Sequence, residues 1–197
     1  VPPWLAFLAA YVIGSVDFAV VVARAHGIDI HAVGSGNPGT SNVLRTLGRG
    51  PAAMVLLGDA LKGVIAAALG WTAGGGALPN EPLAAVAGLC AVAGHCYPVF
   101  HRFRGGKGVA TGSGVLAFMV PVAALVLAVV WAVTVRLTRV ASIGSLTVVG
   151  LTVPLALWQG MRGVTLAWVA AILSLIVWRH RPNIARMLRR SEQRVPT

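Results

Sequence analysis

Residues 109–135 read VATGSGVLAFMVPVAALVLAVVWAVTV, an apolar run of 27 positions without a charge. Its reading decides the fold. As one helix it is ~40 Å long at ~1.5 Å per residue, more than one ~30 Å hydrocarbon core and less than two. The flanks settle what length leaves open. A basic loop, His101 to Gly108 (HRFRGGKG), precedes the run, and a second, Arg136 to Arg139, follows it. One crossing puts these loops on opposite sides of a membrane. Two crossings, with a turn at Met119-Val-Pro121, put them on the same side. Arg24, Arg45, Arg49, Arg102, Arg104, Lys107, Arg136, Arg139 and six tail arginines then share that side, 14 of the 16 Lys and Arg. That is the asymmetry the positive-inside rule describes. The reading is an all-α, polytopic integral membrane helical bundle of seven membrane segments. Its N-terminus is outside, its C-terminus cytoplasmic, and segments four and five are short or re-entrant.

The rest of the chain agrees. At 197 residues, 57% apolar content and a mean hydropathy of +0.81, it is too hydrophobic for an ordinary soluble domain and reads as one integral membrane domain, 1–197. The net charge of +11 suits a positive-inside membrane protein and assigns no nucleic-acid partner. The other segments expected are Pro3 to Val22, Pro51 to Trp71, Leu83 to Phe100, Val140 to Trp158 and Val164 to Trp178. The first is long enough to span and is expected to be retained rather than cleaved as a signal. Residues 24–50 read as a long polar loop.

Inside that loop lies Gly34 to Arg45, GSGNPGTSNVLR. Gly34, Gly36 and Gly39 let backbone N–H groups approach a ligand closely. Ser35, Asn37, Thr40, Ser41 and Asn42 add short donors. Asn42-Val-Leu-Arg reads as the opening of a helix, whose N-terminus favours anions, and Arg45 supplies a guanidinium fork. The stretch reads either as a phosphate cradle or as a glycine-rich turn between membrane helices. It lacks the βαβ surroundings of a dinucleotide fingerprint, and Thr40 stands where a P-loop has lysine. Gly105-Gly106-Lys107-Gly108 is a second glycine-basic loop opening a helix on the same face. Together the two loops are placed to hold two phosphates, or one from two sides.

Other chemistry-bearing residues are scattered. Asp59 and Lys62 are three apart on one helix face, and the reading favoured for them is a structural ion pair facing the bundle interior. His95, near the cytoplasmic end of segment three, is left open between packing and function. Cys90 and Cys96 read as small core residues; no metal site and no cofactor is predicted. His180 and Asn183, just past the last span, aim the same way on a helix. The tail from Asn183 to Glu192 reads as an amphipathic helix on an anionic leaflet.

Three blocks carry a family resemblance: GSGNPGTSNVLR (34–45), GHCYPVFHRFRGGKGVAT (94–111) and RHRPNIARMLRRSE (179–192), with GDALKG (58–63) as a fourth. In order and over the whole chain they resemble the bacterial acyl-phosphate:glycerol-3-phosphate acyltransferase family. The resemblance implies seven membrane helices with an outside N-terminus in the bacterial cytoplasmic (inner) membrane. It also implies an active site facing the cytoplasm. The reaction implied is transfer of a fatty acyl group from acyl phosphate to the sn-1 hydroxyl of glycerol 3-phosphate, giving lysophosphatidic acid and inorganic phosphate, with membrane lipid around the acyl chain. It further implies that Ser35, Arg45, Lys107, His180 and Asn183 surround glycerol 3-phosphate, with Ser35, Lys107, His180 and Asn183 as catalytic residues. By the same likeness Gly34, Gly36, Asn37, Gly39, Thr40, Ser41 and Asn42 form the phosphate loop, Gly105 and Gly106 belong to the second loop, and Ser142 is a further binding serine. Val140 and Ala141 depart from the tyrosine and serine usual in the family, Ser41 from threonine, and the charge of Asp17 from an uncharged first helix.

The chemistry fits. An acyl phosphate is already activated, so the protein has to align two anions and stabilise developing charge. No Ser-His-Asp set shares a face. None of the five histidines has an Asp five residues on, the arrangement of thioester-using glycerolipid acyltransferases, which argues against acyl-CoA. The competing classes are an anion carrier with broken helices and a phosphatidyl- or isoprenoid-group transferase. The second needs clustered acidic metal ligands, which five scattered acidic residues do not supply.

Overall fold

The computed structural model describes residues 1–196. Among them all regular structure is helical: α1 (Pro3–Gly14), α2 (Phe18–Ala25), α3 (Thr40–Leu47), α4 (Arg49–Gly74), α5 (Pro82–Cys96), a 3₁₀ turn (Val99–His101), α6 (Val109–Met119), α7 (Pro121–Thr138), α8 (Ala141–Trp158), α9 (Gly163–Arg179) and α10 (Arg181–Leu188). Five stretches are long and apolar enough to cross a membrane: Pro3–Ala25, Arg49–Gly74, Pro82–His101, Pro121–Thr138 and Ala141–Trp158. α9 and α10, bent by 51° at His180, make a sixth if taken together.

The decisive run breaks at the expected place. Val120 leaves the helical region (φ −139°, ψ 68°) and Pro121 opens α7, where its missing N–H and fixed φ are tolerated. Only the fourth segment is short. α6 has 11 residues, ~16 Å at ~1.5 Å each, and cannot cross alone. α7 has 18, so the expectation of a short fifth segment is corrected. The first segment spans as expected, over Pro3–Ala25, but is built of two helices, α1 and α2. Asp17 accepts from the backbone N–H groups of Ala19 and Val20 and caps α2, which accounts for a charge that the sequence left unexplained. The helix expected to open within the 24–50 loop is α3, which starts at Thr40, two residues before Asn42.

Helices meet closely where both partners are small. A Cβ on Gly63 would lie 2.0 Å from Thr111 O, and one on Gly114 1.9 Å from Ala60 O, so α4 and α6 touch backbone to backbone. Gly14 against Ala91 and Gly94 against Tyr11 do the same for α1 and α5. At one end of the bundle the Ala123 N–H donates to Gln159 Oε1 (2.7 Å), Asn80 Nδ2 to Gly160 O (3.0 Å) and the Arg162 N–H to Asn80 Oδ1 (2.7 Å). These bonds gather the 72–82 loop, the α6–α7 turn and the α8–α9 turn. At the other end the Val195 N–H donates to Arg139 O (2.8 Å), and Arg179 grips the 105–106 backbone. The basic loops therefore share one end, as their charge requires.

Candidate active site

A cavity of about 210 Å³ opens at the basic end. Its polar wall comes from Ser35, Asn37, Gly39, Thr40, Ser41, Asn42, Arg45, Lys107 and His180. Its apolar wall comes from α6, α7 and α8, through Leu116, Ala124, Leu127, Ala128, Trp131 and Val148.

The first loop is built around Asn42, which is buried. Its Oδ1 accepts from the Ser35 N–H (2.9 Å), and its Nδ2 donates to Val33 O (3.0 Å) and Ile30 O (3.3 Å). Gly34 sits at φ +58°, and a Cβ there would collide with Asn42 Oδ1. Asn42 thus spends its amide on shaping the loop. Gly39 is extended and offers α3 no side-chain cap, so the first N–H groups of α3, at Thr40 and Ser41, remain for a ligand. α6 likewise begins at Gly108 without a side-chain cap. Two uncapped helix N-termini therefore meet at one cavity.

The second loop is held from behind. Arg179 donates through Nε to Gly106 O (3.0 Å) and through Nη2 to Gly105 O (2.7 Å), with its guanidinium 5.0 Å from the centre of the Tyr97 ring. The Gly106 N–H donates to His95 O (3.0 Å). A Cβ on Gly106 would lie 2.6 Å from Pro38 O and 2.2 Å from His95 Nε2, so glycine is required where the two loops and α5 converge. Gly105 and Gly106 shape the loop, and Lys107 reaches the cavity. Burial, and then the nearby Arg186, Arg45 and Arg179, push the Lys107 ammonium down to about 8, against the opposing pull of Glu192. Burial also lowers Arg45, whose Nε has no partner among the described residues.

His180 is buried, and its Nδ1 lies 2.8 Å from Ile176 O. A carbonyl only accepts, so Nδ1 carries the proton and Nε2 keeps its lone pair. Burial, together with Lys107 and Arg179, holds its pKa down to about 4. Ser142 and Asn183 do not line the cavity. Ser142 Oγ donates to Glu192 Oε1 (3.1 Å) and Asn183 Nδ2 to the same oxygen (2.6 Å), while Arg186 Nε donates to Glu192 Oε2 (2.7 Å). Gly34 and Gly36 stand behind the wall that Ser35 and Asn37 present.

Sequence reasoning missed two residues here, Glu192 and Arg179, and left a third, His95, open. Glu192 was read only as the end of a basic surface helix; being the one carboxylate among six tail arginines was its signal. Arg179 was counted as positive-inside charge. His95, with Asp59, lines the cavity. The Asp59–Lys62 pair is present at 2.7 Å, as expected, and His95 joins it.

A family profile described as glycerol-3-phosphate acyltransferase matches residues 4–190. A glycerol-3-phosphate acyltransferase of Pseudomonas paraeruginosa is 43% identical over 182 residues, covering 92% of this chain and 93% of its own. One from Rubrobacter xylanophilus is 42% identical over 190 residues, covering 96% and 94%. The crystal structure of PlsY (YgiH), an integral membrane glycerol 3-phosphate acyltransferase, in its glycerol 3-phosphate form superposes with a TM-score of 0.92 at 36% identity, covering 99% of this chain and 96% of that one. The lysophosphatidic acid form superposes with a TM-score of 0.90. A cavity with a cationic end at two helix N-termini and an apolar end suits such a reaction, and the likeness runs through every block that builds it: the chain belongs to the glycerol-3-phosphate acyltransferase family, as an integral membrane member with multiple helical spans.

Proposed function

We propose that this protein transfers a fatty acyl group from acyl phosphate to the sn-1 hydroxyl of glycerol 3-phosphate, directly and without an acyl-enzyme. The observation that carries the reading is the two-ended cavity. Two phosphates suit the wall made by the α3 and α6 N-termini, Arg45 and Lys107, and an acyl chain suits the wall made by Leu116, Leu127, Trp131 and Val148. The glycerol hydroxyl oxygen attacks the acyl carbon, the bond from that carbon to the phosphate oxygen breaks, and inorganic phosphate leaves. The hydroxyl proton passes to the departing phosphate. His180 offers the Nε2 lone pair to orient the hydroxyl, but with a pKa near 4 it is a poor proton acceptor at neutral pH. Ser35 Oγ has Asn37 N–H as its partner (3.4 Å) and no base hydrogen-bonded to it among the described residues, which suits a binding role. Donors aimed at the phosphates stabilise the charge that grows on them during transfer.

The same reading orients the protein. Seven membrane segments place the N-terminus outside and the tail, both glycine loops and the cavity mouth on the cytoplasmic side of a bacterial inner membrane. α6 then starts below the surface, inside the bundle, and α7 completes the return. A short helix enclosed by protein keeps its ends satisfied where lipid would not.

The test uses detergent-solubilised protein with acyl phosphate and glycerol 3-phosphate and no membrane gradient. Lysophosphatidic acid and inorganic phosphate should appear in equal amounts. Turnover with acyl-CoA alone, or solute flux into liposomes without turnover, refutes the reading. Lys107→Ala and Arg45→Ala should each lower kcat/KM by roughly 10- to 150-fold, the range for one charge-assisted contact.

A further inference from the structure

Asp59, Lys62 and His95 form a buried cluster that the mechanism above does not use. Their side chains are 1%, 2% and 4% exposed. Ionisable groups at such depth in a membrane bundle are costly and call for a purpose.

The geometry fixes the proton of His95. Lys62 Nζ donates to Val16 O at 2.8 Å, meets His95 Nδ1 at 2.8 Å and lies 2.7 Å from Asp59 Oδ1 in an ion pair. An ammonium has three protons and no lone pair, so His95 Nδ1 accepts and the ring proton sits on Nε2. Asp59 Oδ1 is 3.5 Å from Nδ1, too far to take a proton from it as a good hydrogen bond. The Asp59 carboxylate balances the Lys62 charge, and the pair sits off the line of a directed hydrogen bond, as expected for residues three apart on one helix.

Nε2 lies on the other side of the ring, against Gly106, where the two glycine loops converge. His95 lines the cavity beside Lys107, and Nε2 takes no hydrogen bond among the described residues. A histidine present only for packing would spend both nitrogens inside the fold. Here one is pinned by an ammonium, and the other lies against Gly106 on a side chain that lines the cavity. His180 is the mirror case, protonated on Nδ1 and accepting at Nε2. The cavity therefore has one imidazole set to accept and one set to donate.

We infer that His95 is a further substrate-binding residue, whose Nε2–H, held by Lys62, donates a hydrogen bond to a phosphoryl oxygen of the acyl phosphate. This rests on the proposed function. The leaving phosphate gains charge as the acyl carbon departs, so the donor acts in the transition state as well as in binding. No proton is transferred by His95, because its Nδ1 is already committed to Lys62. Asp59 and Lys62 are positioning residues that act through it.

Two substitutions separate donation from packing. His95→Asn places an amide oxygen near Nδ1, keeping an acceptor for Lys62 while removing the donor. His95→Gln carries an amide N–H towards the position of Nε2. His95→Asn should lower kcat/KM for acyl phosphate by roughly 10- to 150-fold with the KM for glycerol 3-phosphate little changed, and His95→Gln should regain part of the loss. Wild-type kinetics in His95→Asn, or equal losses in both variants that follow their melting temperatures, overturn the inference. Nitrogen NMR on imidazole-labelled wild-type protein in detergent decides the matter even if both variants unfold. It should show the His95 proton on Nε2, and a non-transferable acyl phosphonate should move that signal. A proton on Nδ1, or no movement in protein that turns over acyl phosphate, overturns it. Wild-type protein that turns over no acyl phosphate instead overturns the donor assignment, a separate outcome read from the assay alone.

Discussion

Asn183 Nδ2 donates to Glu192 Oε1 at 2.6 Å, and this bond ties α10 to the tail that follows it. Glu192 also takes Ser142 from α8 and Arg186 from α10, and its hydrogen bonds outweigh its burial, holding the carboxyl below the ordinary glutamate range. Val195 is buried nearby, with its N–H on Arg139 O. The tail is a strap at the basic end of the bundle, tied to α8, α10 and the α7–α8 turn.

Glu192→Gln should therefore lower the melting temperature. The sign of the pH dependence follows. A folded pKa below the unfolded one gives stability that is present above the unfolded value, about 4.3, and is lost as pH falls through the folded value. Wild-type melting curves should lose part of their stability on acidification below that point, and the Glu192→Gln curve should be flatter there. Parallel curves for the two proteins would detach the strap from stability.

Lys107, pushed down to about 8, should give the reaction an alkaline limb. Below that value the ammonium is present and anions bind; above it the charge is lost. kcat/KM should fall as pH rises through about 8, since it reports the free enzyme. A bound phosphate favours the ammonium, so the limb in kcat should lie higher. Lys107→Arg should abolish the limb in kcat/KM while keeping measurable activity. A limb that survives in Lys107→Arg belongs to another group.

His180, held down to about 4, should contribute no limb between pH 6 and 7. His180→Gln should lower the rate and leave the profile in that range unchanged. A limb near neutrality that disappears in His180→Gln would make His180 the proton acceptor in place of the substrate phosphate.

Ser35→Ala should slow turnover by weakening a contact without abolishing it. Radiolabelled acyl phosphate given without acceptor should leave no label on denatured protein. A kinetically competent serine ester, lost in Ser35→Ala, would replace direct transfer by a two-step mechanism.

Sidedness is checked with single cysteines in a background lacking Cys90 and Cys96. Ala77→Cys should react with an impermeant thiol reagent applied from outside whole cells. Arg104→Cys and Arg194→Cys should react only after the membrane is opened. External labelling of Arg194→Cys would invert the proposed orientation.

Much of this was legible along the chain. The apolar runs gave the helices because each is a local property of 11 to 26 residues. Pro121 marked the turn in the decisive run, and the distribution of arginines correctly grouped the loops at one end. The glycine loops, Arg45 and Lys107 were visible as local clusters of donors. Composition is blind to a local hydrogen bond: Asp17 caps α2, so the first span is built of two helices rather than one.

Tertiary structure alone decided the partners. Asp59 and Lys62 are three apart, and their pairing could be read from helical period; His95 is 33 residues from Lys62 and could not. The close contacts at Gly63, Gly114, Gly14 and Gly94 set how near α1, α4, α5 and α6 approach, and that approach brings Lys62 to Nδ1 of His95 and to Val16. Arg179 reaches Gly105 and Gly106 across more than 70 residues, and Glu192 gathers Ser142 from 50 away. Periodicity and charge are local or one-dimensional quantities, so they place segments and sides. Which side chain completes which site depends on the distance between helices, fixed only when the small residues at their crossings have packed.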